Sequence, residues 1–246
     1  MILLLDIGNT RIKWARLTHG RLGSQQAHVH VEEDLGPVLE RVLDGPAPER
    51  VFASNVAGPL MAAALREVCE ERYGKRPEFL IPGPVTAGVT NGYKDPARLG
   101  ADRWAAVIGA YRRHGGPACV IDAGTAITVD GVDGKGRHLG GLIAPGPQTM
   151  RRALAGSTAS LRDDGEGEFT LLARETRSAI GSGGWHTAAG FLERMHLLVG
   201  RELGPKTRFL LTGGDAERLS ELVPDRYILA PDLVLQGLAV VAGEKA

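Results

Sequence analysis

Cysteine is scarce in this chain. Cys69 and Cys119 are the only two in 246 residues, one in a helical pattern and one entering an apolar strand, so the fold does not rest on a disulfide framework and two buried free thiols are expected. That usage suits a reducing compartment, and a cytoplasmic protein is expected. An excess of one charge is missing too: 29 basic residues balance 29 acidic ones. Composition therefore offers no electrostatic footprint for nucleic acid or an anionic membrane surface, and neither is expected as a partner. Long hydrophobic runs are absent. The opening Met1-Ile-Leu-Leu-Leu stretch is cut off by Asp6, too soon for a signal-peptide core, and no later segment approaches a membrane span. His138, His186 and His196 are scattered without ligand-like spacing, so no zinc site is indicated. Trp14, Trp104 and Trp185 read as core or interface residues.

What is present is an internal echo. Leu3-Leu-Leu-Asp-Ile-Gly-Asn-Thr10 and Cys119-Val-Ile-Asp-Ala-Gly-Thr-Ala-Ile-Thr-Val-Asp130 both read as an apolar strand ending in Asp-x-Gly with a threonine close behind. A buried strand that stops at a carboxylate, followed by a glycine turn, brings backbone amides, a hydroxyl and a negative charge to one tip. Such a tip suits a polyphosphate and its metal ion. The echo opens each half of the chain, which predicts two related half-domains, 1–115 and 116–246, divided after the glycine-proline break Gly115-Gly116-Pro117.

The elements follow in order. A hairpin is predicted from Ile2 to Leu17, turning at Gly8-Asn9-Thr10 with Lys13 just past the turn. A helix near Asp34 to Leu43 comes next, then a strand at Val51 to Ser54. Pro59 opens another helix and Gly74 ends it. Glu78 to Ile81 reads as a strand, and residues 82–101, rich in glycine and proline, as a loop that carries Asn91-Gly92-Tyr93. Trp104, Val107, Ile108 and Tyr111 recur at helical spacing from Asp102 onward. After the Asp122 strand, a meander runs to Ala144 and a helix is expected near Gln148 to Leu154. Residues 155–170, small and acidic, predict a mobile surface segment. Helical pattern resumes at Thr176 to Ile180, breaks at Gly181-Ser-Gly-Gly184 and continues with Phe191, Met195 and Leu198 on one face. Arg208 to Thr212 is a strand that delivers Gly213-Gly214 to a helix at Asp215. Leu233 to Leu238 opens a final packed helix.

With these pieces placed, the sequence resembles the type III pantothenate kinases, bacterial members of the superfamily of acetate and sugar kinases, heat-shock chaperones and actin. The resemblance is carried by Asp6-Ile-Gly-Asn-Thr-Arg-Ile-Lys13, Leu99-Gly-Ala-Asp-Arg-Trp104, Asp122-Ala-Gly-Thr125, Gly140-Gly-Leu-Ile-Ala-Pro-Gly146, Thr212-Gly-Gly-Asp215 and Asp232-Leu-Val-Leu-Gln-Gly-Leu238. It implies an α/β fold of two RNase H-like halves, each a mixed sheet flanked by helices, with ATP in the cleft between them. It also implies ATP-dependent phosphorylation of pantothenate on its primary hydroxyl to 4'-phosphopantothenate, the first step of coenzyme A biosynthesis. Carried over residue by residue, the resemblance assigns ATP binding to Asp6, Ile7, Gly8, Asn9, Thr10, Arg11, Ile12, Lys13 and Thr125. Asp6 would help hold Mg²⁺. Asp122 would hold a monovalent cation, K⁺ or NH₄⁺. Tyr93, Gly100, Ala101, Asp102, Arg103 and Thr176 fall on substrate positions, with Asp102 as the catalytic proton acceptor and Arg103 as partner of the substrate carboxylate. The family is typically homodimeric, and Thr176 would reach the site of the partner subunit.

Plainer readings exist for several of these residues. An aspartate before an amphipathic run, such as Asp102, also suits a helix cap. Tyr93 in a glycine-rich loop suits a packing lid, and Thr176 suits a helix cap. Two other functions compete: a non-catalytic nucleotide-dependent regulator of the Bvg accessory factor type, and a kinase acting on another small hydroxylated substrate. The motif residues Asp102, Arg103 and Asp122 favour catalysis over regulation.

Overall fold

The computed structural model describes residues 1–31, 33–157 and 165–244. Two compact units emerge. The first holds Met1–Gly116, Gly134–Gly140 and Asp232–Ala246, and the second Pro117–Asp133 and Gly141–Pro231, so more than one crossing of the chain joins them.

The first unit starts with strands β1 (Ile2–Ile7), β2 (Arg11–Thr18), β3 (Arg21–Leu22) and β4 (Gln26–Val29), followed by helix α1 (Leu35–Val42), strand β5 (Arg50–Asn55), helix α2 (Pro59–Tyr73) and strand β6 (Glu78–Phe79). Their sheet runs in the order β3-β2-β1-β5-β6, with β4 also paired to β2. β1 is antiparallel to β2 and parallel to β5. Because β1 is central and covered on both faces, it reads as an unbroken apolar run rather than an alternating one. On one face Leu3, Leu5 and Ile7 meet Val38, Leu39 and Val42 of α1 and Met61, Leu65 and Cys69 of α2 in a single buried cluster. Asp34 caps α1 through its side chain, and Gly74, left-handed at φ 62°, ends α2.

Beyond β6, the expected loop contains a small hairpin, β7 (Val85–Thr86) with β8 (Val89–Thr90), and a single turn at Pro96–Arg98. Helix α3 (Ala101–Gly109) follows and widens into a π-helical turn at Ala110–His114. Nearly every α3 residue is buried, so its apolar spacing is that of a helix enclosed on all sides rather than an amphipathic one.

The second unit repeats the plan with β9 (Ala118–Ala123), β10 (Ala126–Val132), β11 (His138–Pro145), α4 (Pro147–Ser157), α5 (Thr176–Leu203), β12 (Arg208–Thr212), α6 (Ala216–Leu222) and β13 (Ile228–Leu229). Its sheet order, β11-β10-β9-β12-β13, matches the first strand for strand. Here too the central strand has an antiparallel neighbour on one side and a parallel one on the other. α7 (Leu233–Glu244) then returns to the first unit and packs on α3.

Two expectations are corrected. The break predicted at Gly181–Gly184 does not occur, and α5 is continuous for 28 residues. Gly181 is there for close approach: a Cβ on it would stand 2.0 Å from the Glu166 carbonyl oxygen. The buried stripe of α5 is Trp185, Ala188, Leu192 and Met195, with Phe191 only partly covered and Leu198 exposed. Of the stretch expected to be mobile, residues 158–164 lie outside the described residues, but 165–170 are tied down. Glu168 and Thr170 donate backbone amides to Ser178 and Ser182 of α5, and Glu166 accepts from Arg218 at 2.6 Å.

Candidate active site

The Asp6 tip is built by register. Across the hairpin Asp6 lies opposite Lys13, and on its parallel neighbour it lies beside Ser54. Paired residues share a face, so a cationic side chain and a hydroxyl flank the carboxylate. Ser54, fully buried, donates its hydroxyl to Asp6 Oδ1 at 2.9 Å. The Gly8-Asn9-Thr10 turn closes with Gly8 N–H donating to the Arg11 carbonyl at 3.0 Å. Ile7 and Ile12 are core residues behind it. Ser54 and His30, which also contacts this turn, carried no motif signal, because a parallel neighbour and a strand twenty residues away are set by tertiary pairing.

In the second unit Asp122 is the penultimate residue of β9, opposite Thr128 and beside Thr212. Thr212 is fully buried, and its Oγ1 makes no hydrogen bond to any described residue. Gly213 is left-handed at φ 103°, and a Cβ on it would lie 2.5 Å from Asp122 Oδ1, so only glycine lets the chain pass there. Thr125 sits in the turn after β9. Its carbonyl accepts from Gly146 N–H at 3.0 Å and from Thr149 Oγ1 at 2.5 Å, which explains the Pro145-Gly146-Pro147 motif as the piece that docks α4 on this turn. Three residues before Asp122, burial pushes the Cys119 thiol up to about 12, with the nearby Asp130 charge adding to the shift. Burial thus disfavours the thiolate that a nucleophile or a metal ligand would need.

The substrate candidates of the first unit converge. Gly100 is the residue at the cap position of α3, and no side chain caps it. Asp102 thus lies inside the first turn, where its carboxylate accepts the Arg103 amide at 2.7 Å. Arg103 is buried at 7% exposure, donates Nη1 to Tyr93 Oη at 2.8 Å and sets its guanidinium carbon 5.6 Å from the centre of the Tyr93 ring. Behind Tyr93 stands His138, stacked at 6.0 Å, with Trp104 tilted 6.2 Å from it. The Tyr93 loop is strapped in place: Asn91 Oδ1 accepts from Tyr93 N–H at 3.0 Å, Thr90 N–H donates to Gly136, and Arg112 and Trp104 donate to Ala87 and Thr86 of the hairpin. Asn91 and His138 were missed by sequence reasoning; an Asx turn in front of Tyr93 was the available signal for the first. Ala101 is buried in the first turn of α3. Thr176 belongs to the second unit, is exposed, and is the first residue of α5 after Glu175, the cap position.

Two mixed sheets of identical strand order, each with a carboxylate near the end of its central strand, define the fold class of the actin-like ATPases and sugar kinases. The solved structures agree at the level of fold. A conserved Baf-family protein from Campylobacter jejuni matches with a TM-score of 0.62 at 21% identity, covering 99% of this chain and 98% of that one. The activator of 2-hydroxyisocaproyl-CoA dehydratase from Clostridium difficile, solved with ADPNP bound, matches at 0.53 and 14%, covering 98% and 92%. Sequence narrows the class. The model of the type III pantothenate kinase family matches residues 2–197. Type III pantothenate kinases of Azoarcus sp. and Aromatoleum aromaticum are 43% and 42% identical over the whole of this chain and cover 92% and 99% of their own lengths. That of Nitrosococcus oceani is 39% identical over 98% of this chain and 94% of its own. The chain belongs to the type III pantothenate kinase family.

Proposed function

We propose that this chain is a pantothenate kinase that transfers the γ-phosphoryl group of ATP to the primary hydroxyl of pantothenate, the entry to coenzyme A. The observation that carries the reading is the Asp102, Arg103 and Tyr93 cluster, in a chain whose relatives along its full length are type III pantothenate kinases. Phosphoryl transfer asks a protein mainly to position its substrates and neutralise charge. Arg103, planar and forked, meets the substrate carboxylate while Tyr93 holds its other edge. Asp102 orients the hydroxyl and takes its proton, which leaves late in a loose transition state, so a weak base suffices.

Residues Asp6 to Lys13 and Thr125 hold the nucleotide in this reading. Asp6 suits Mg²⁺, which keeps several waters and needs only one or two carboxylates besides phosphate oxygens. Among the described residues no group of three or more His, Cys, Asp or Glu forms a dedicated metal cage, and none is required. When bound, the Mg²⁺ neutralises phosphate charge. For a monovalent cation, K⁺ or NH₄⁺, the Asp122 carboxylate and the unpartnered Thr212 hydroxyl supply hard oxygen donors. A homodimer completes the reading, with Thr176 contributed across the interface. Among the described residues no helix is long and apolar enough to cross a membrane, and two unpaired buried thiols suit the cytoplasm.

The test is ADP release with ATP, Mg²⁺ and pantothenate, in parallel with K⁺ or Na⁺ as the only monovalent cation. Turnover that needs pantothenate and K⁺ is expected. Turnover with a sugar or acetate instead would move the substrate, and ATP binding without turnover on any acceptor would favour the regulator.

A further inference from the structure

His30 lies outside every motif and touches the turn that the preceding reading gives to the ATP phosphates, on which this inference rests. The residue follows β4, is only 7% exposed, and engages the turn twice. Its Nε2 stands 2.8 Å from the Gly8 carbonyl oxygen, and its backbone N–H donates to the Thr10 carbonyl at 3.0 Å. A carbonyl only accepts, so the Nε2 carries a proton in this contact. In a planar trans peptide the C=O and the following N–H point to opposite sides. Holding the Gly8 and Thr10 carbonyls toward His30 therefore turns the Asn9 and Arg11 amides the other way. Amides so aligned make an anion-binding concavity.

We infer that His30 is a positioning residue for the polyphosphate of the donor nucleotide: it locks two peptide planes of the Gly8–Thr10 turn so that their amides face the phosphates. The second unit has a comparable contact with different donors: the carbonyl of Thr125, three residues after Asp122 where Thr10 is four after Asp6, is held by Gly146 N–H and Thr149 Oγ1. In both units the protein takes the threonine carbonyl, which would otherwise repel an anion.

The experiment compares His30→Leu, His30→Gln and His30→Asn in the full chain, by calorimetric titration with MgATP and by KM for each substrate. Leucine fills the space without a donor, glutamine places an N–H at the reach of Nε2, and asparagine falls short. Expected for His30→Leu is an ATP affinity about tenfold lower and an ATP KM about tenfold higher, the size of one hydrogen bond. Pantothenate KM should stay within about twofold, and His30→Gln should recover most of the ATP affinity. A merely structural role would shift both KM values together and give no rescue. Unchanged ATP affinity in His30→Leu, parallel shifts of both KM values, or glutamine no better than leucine would each overturn the inference. If His30→Leu does not fold, glutamine binding ATP no tighter than asparagine overturns it. Lys13→Ala in the same titration separates the two levels. If it weakens ATP while His30→Leu does not, only His30 is misassigned; if it too leaves ATP affinity unchanged, the hairpin is not the nucleotide site and both readings fall.

Discussion

Tyr93→Phe removes a single oxygen and keeps the ring, so it isolates one contact. Arg103 is 7% exposed and donates Nη1 to the Tyr93 hydroxyl at 2.8 Å, with the guanidinium 5.6 Å from the ring centre. A hydrogen bond involving a charged group contributes about 1.5–3 kcal/mol, more when the remaining partner cannot reach water. The ring stays beneath the guanidinium in the phenylalanine variant, so the cation–π attraction survives and the lower figure applies. About 1.5 kcal/mol corresponds to roughly a tenfold change in an equilibrium. If Arg103 binds the pantothenate carboxylate, that loss falls on the pantothenate KM, while the ATP KM moves by less than about twofold. Tyr93→Leu also removes the ring. It forfeits about 1 kcal/mol more, a further fivefold or so. Steady-state kinetics with each substrate varied in turn reads both variants. A pantothenate KM within about twofold of the parent in Tyr93→Phe, or an ATP KM rising in step with it, would refute the role given to this pair.

Three further outcomes are expected. Asp102→Asn should fold, bind ATP and lose most turnover in the ADP-release assay; near-normal kcat would remove Asp102 from the chemistry. Asp122→Ala should abolish or greatly weaken the dependence on K⁺, and a K⁺ titration unchanged from the parent would count against a cation there. The two thiols give a pH prediction whose sign follows from burial. Burial raises Cys69 from 9.0 to about 11 and Cys119 from 9.0 to about 12, so the fold favours the protonated form. The stability they contribute is complete below the unfolded value near 9.0 and is lost as pH rises through the folded values. The urea midpoint should hold steady below that pH and fall above it, and a thiol reagent at about pH 8 should label neither cysteine until urea unfolds the chain. Stoichiometric labelling of the folded protein would contradict the burial of both.

The sequence announced those parts of the fold that local chemistry decides. Apolar runs ending in Asp6 and Asp122 became the central strands, because a strand covered on both faces has no polar residue to interrupt it. Pro59 and Gly74 delimited α2 because proline suits the first turn and glycine the left-handed end. Local chemistry misled where a glycine serves a neighbour rather than its own backbone. Gly181 reads as a break, yet it lies within a continuous helix so that the carbonyl of Glu166 can come close. The acidic stretch around it reads as mobile, yet Ser178 and Ser182 of that helix accept its amides. Site residues were hidden for a related reason. Ser54 and His138 reach their neighbours through parallel pairing or ring stacking across dozens of residues, and no spacing rule encodes such contacts.

The duplicated sheet also bears on why the two carboxylates are given different ions. Both are the penultimate residue of a central strand, and both lie beside a fully buried hydroxyl residue on the parallel neighbour, Ser54 in one unit and Thr212 in the other. The difference lies on the antiparallel side. Opposite Asp6 stands Lys13, whereas opposite Asp122 stands Thr128. A lysine across from a carboxylate, next to a turn whose amides face outward, makes a tip suited to phosphate oxygens and the Mg²⁺ they carry. The second tip presents a carboxylate between two threonines, with the Thr212 oxygen buried and unpartnered and Gly213 leaving no side chain against Asp122 Oδ1. Oxygen donors without a cationic side chain in register are what a weakly hydrated monovalent cation can use, and a buried hydroxyl left without a partner is costly unless something accepts it or is bound by it. Replacing Thr212 by valine removes that oxygen at nearly constant volume. The expected outcome is therefore a raised K⁺ requirement with a stability equal to or above the parent, and a variant that is destabilised with an unchanged K⁺ response would assign Thr212 to the core alone.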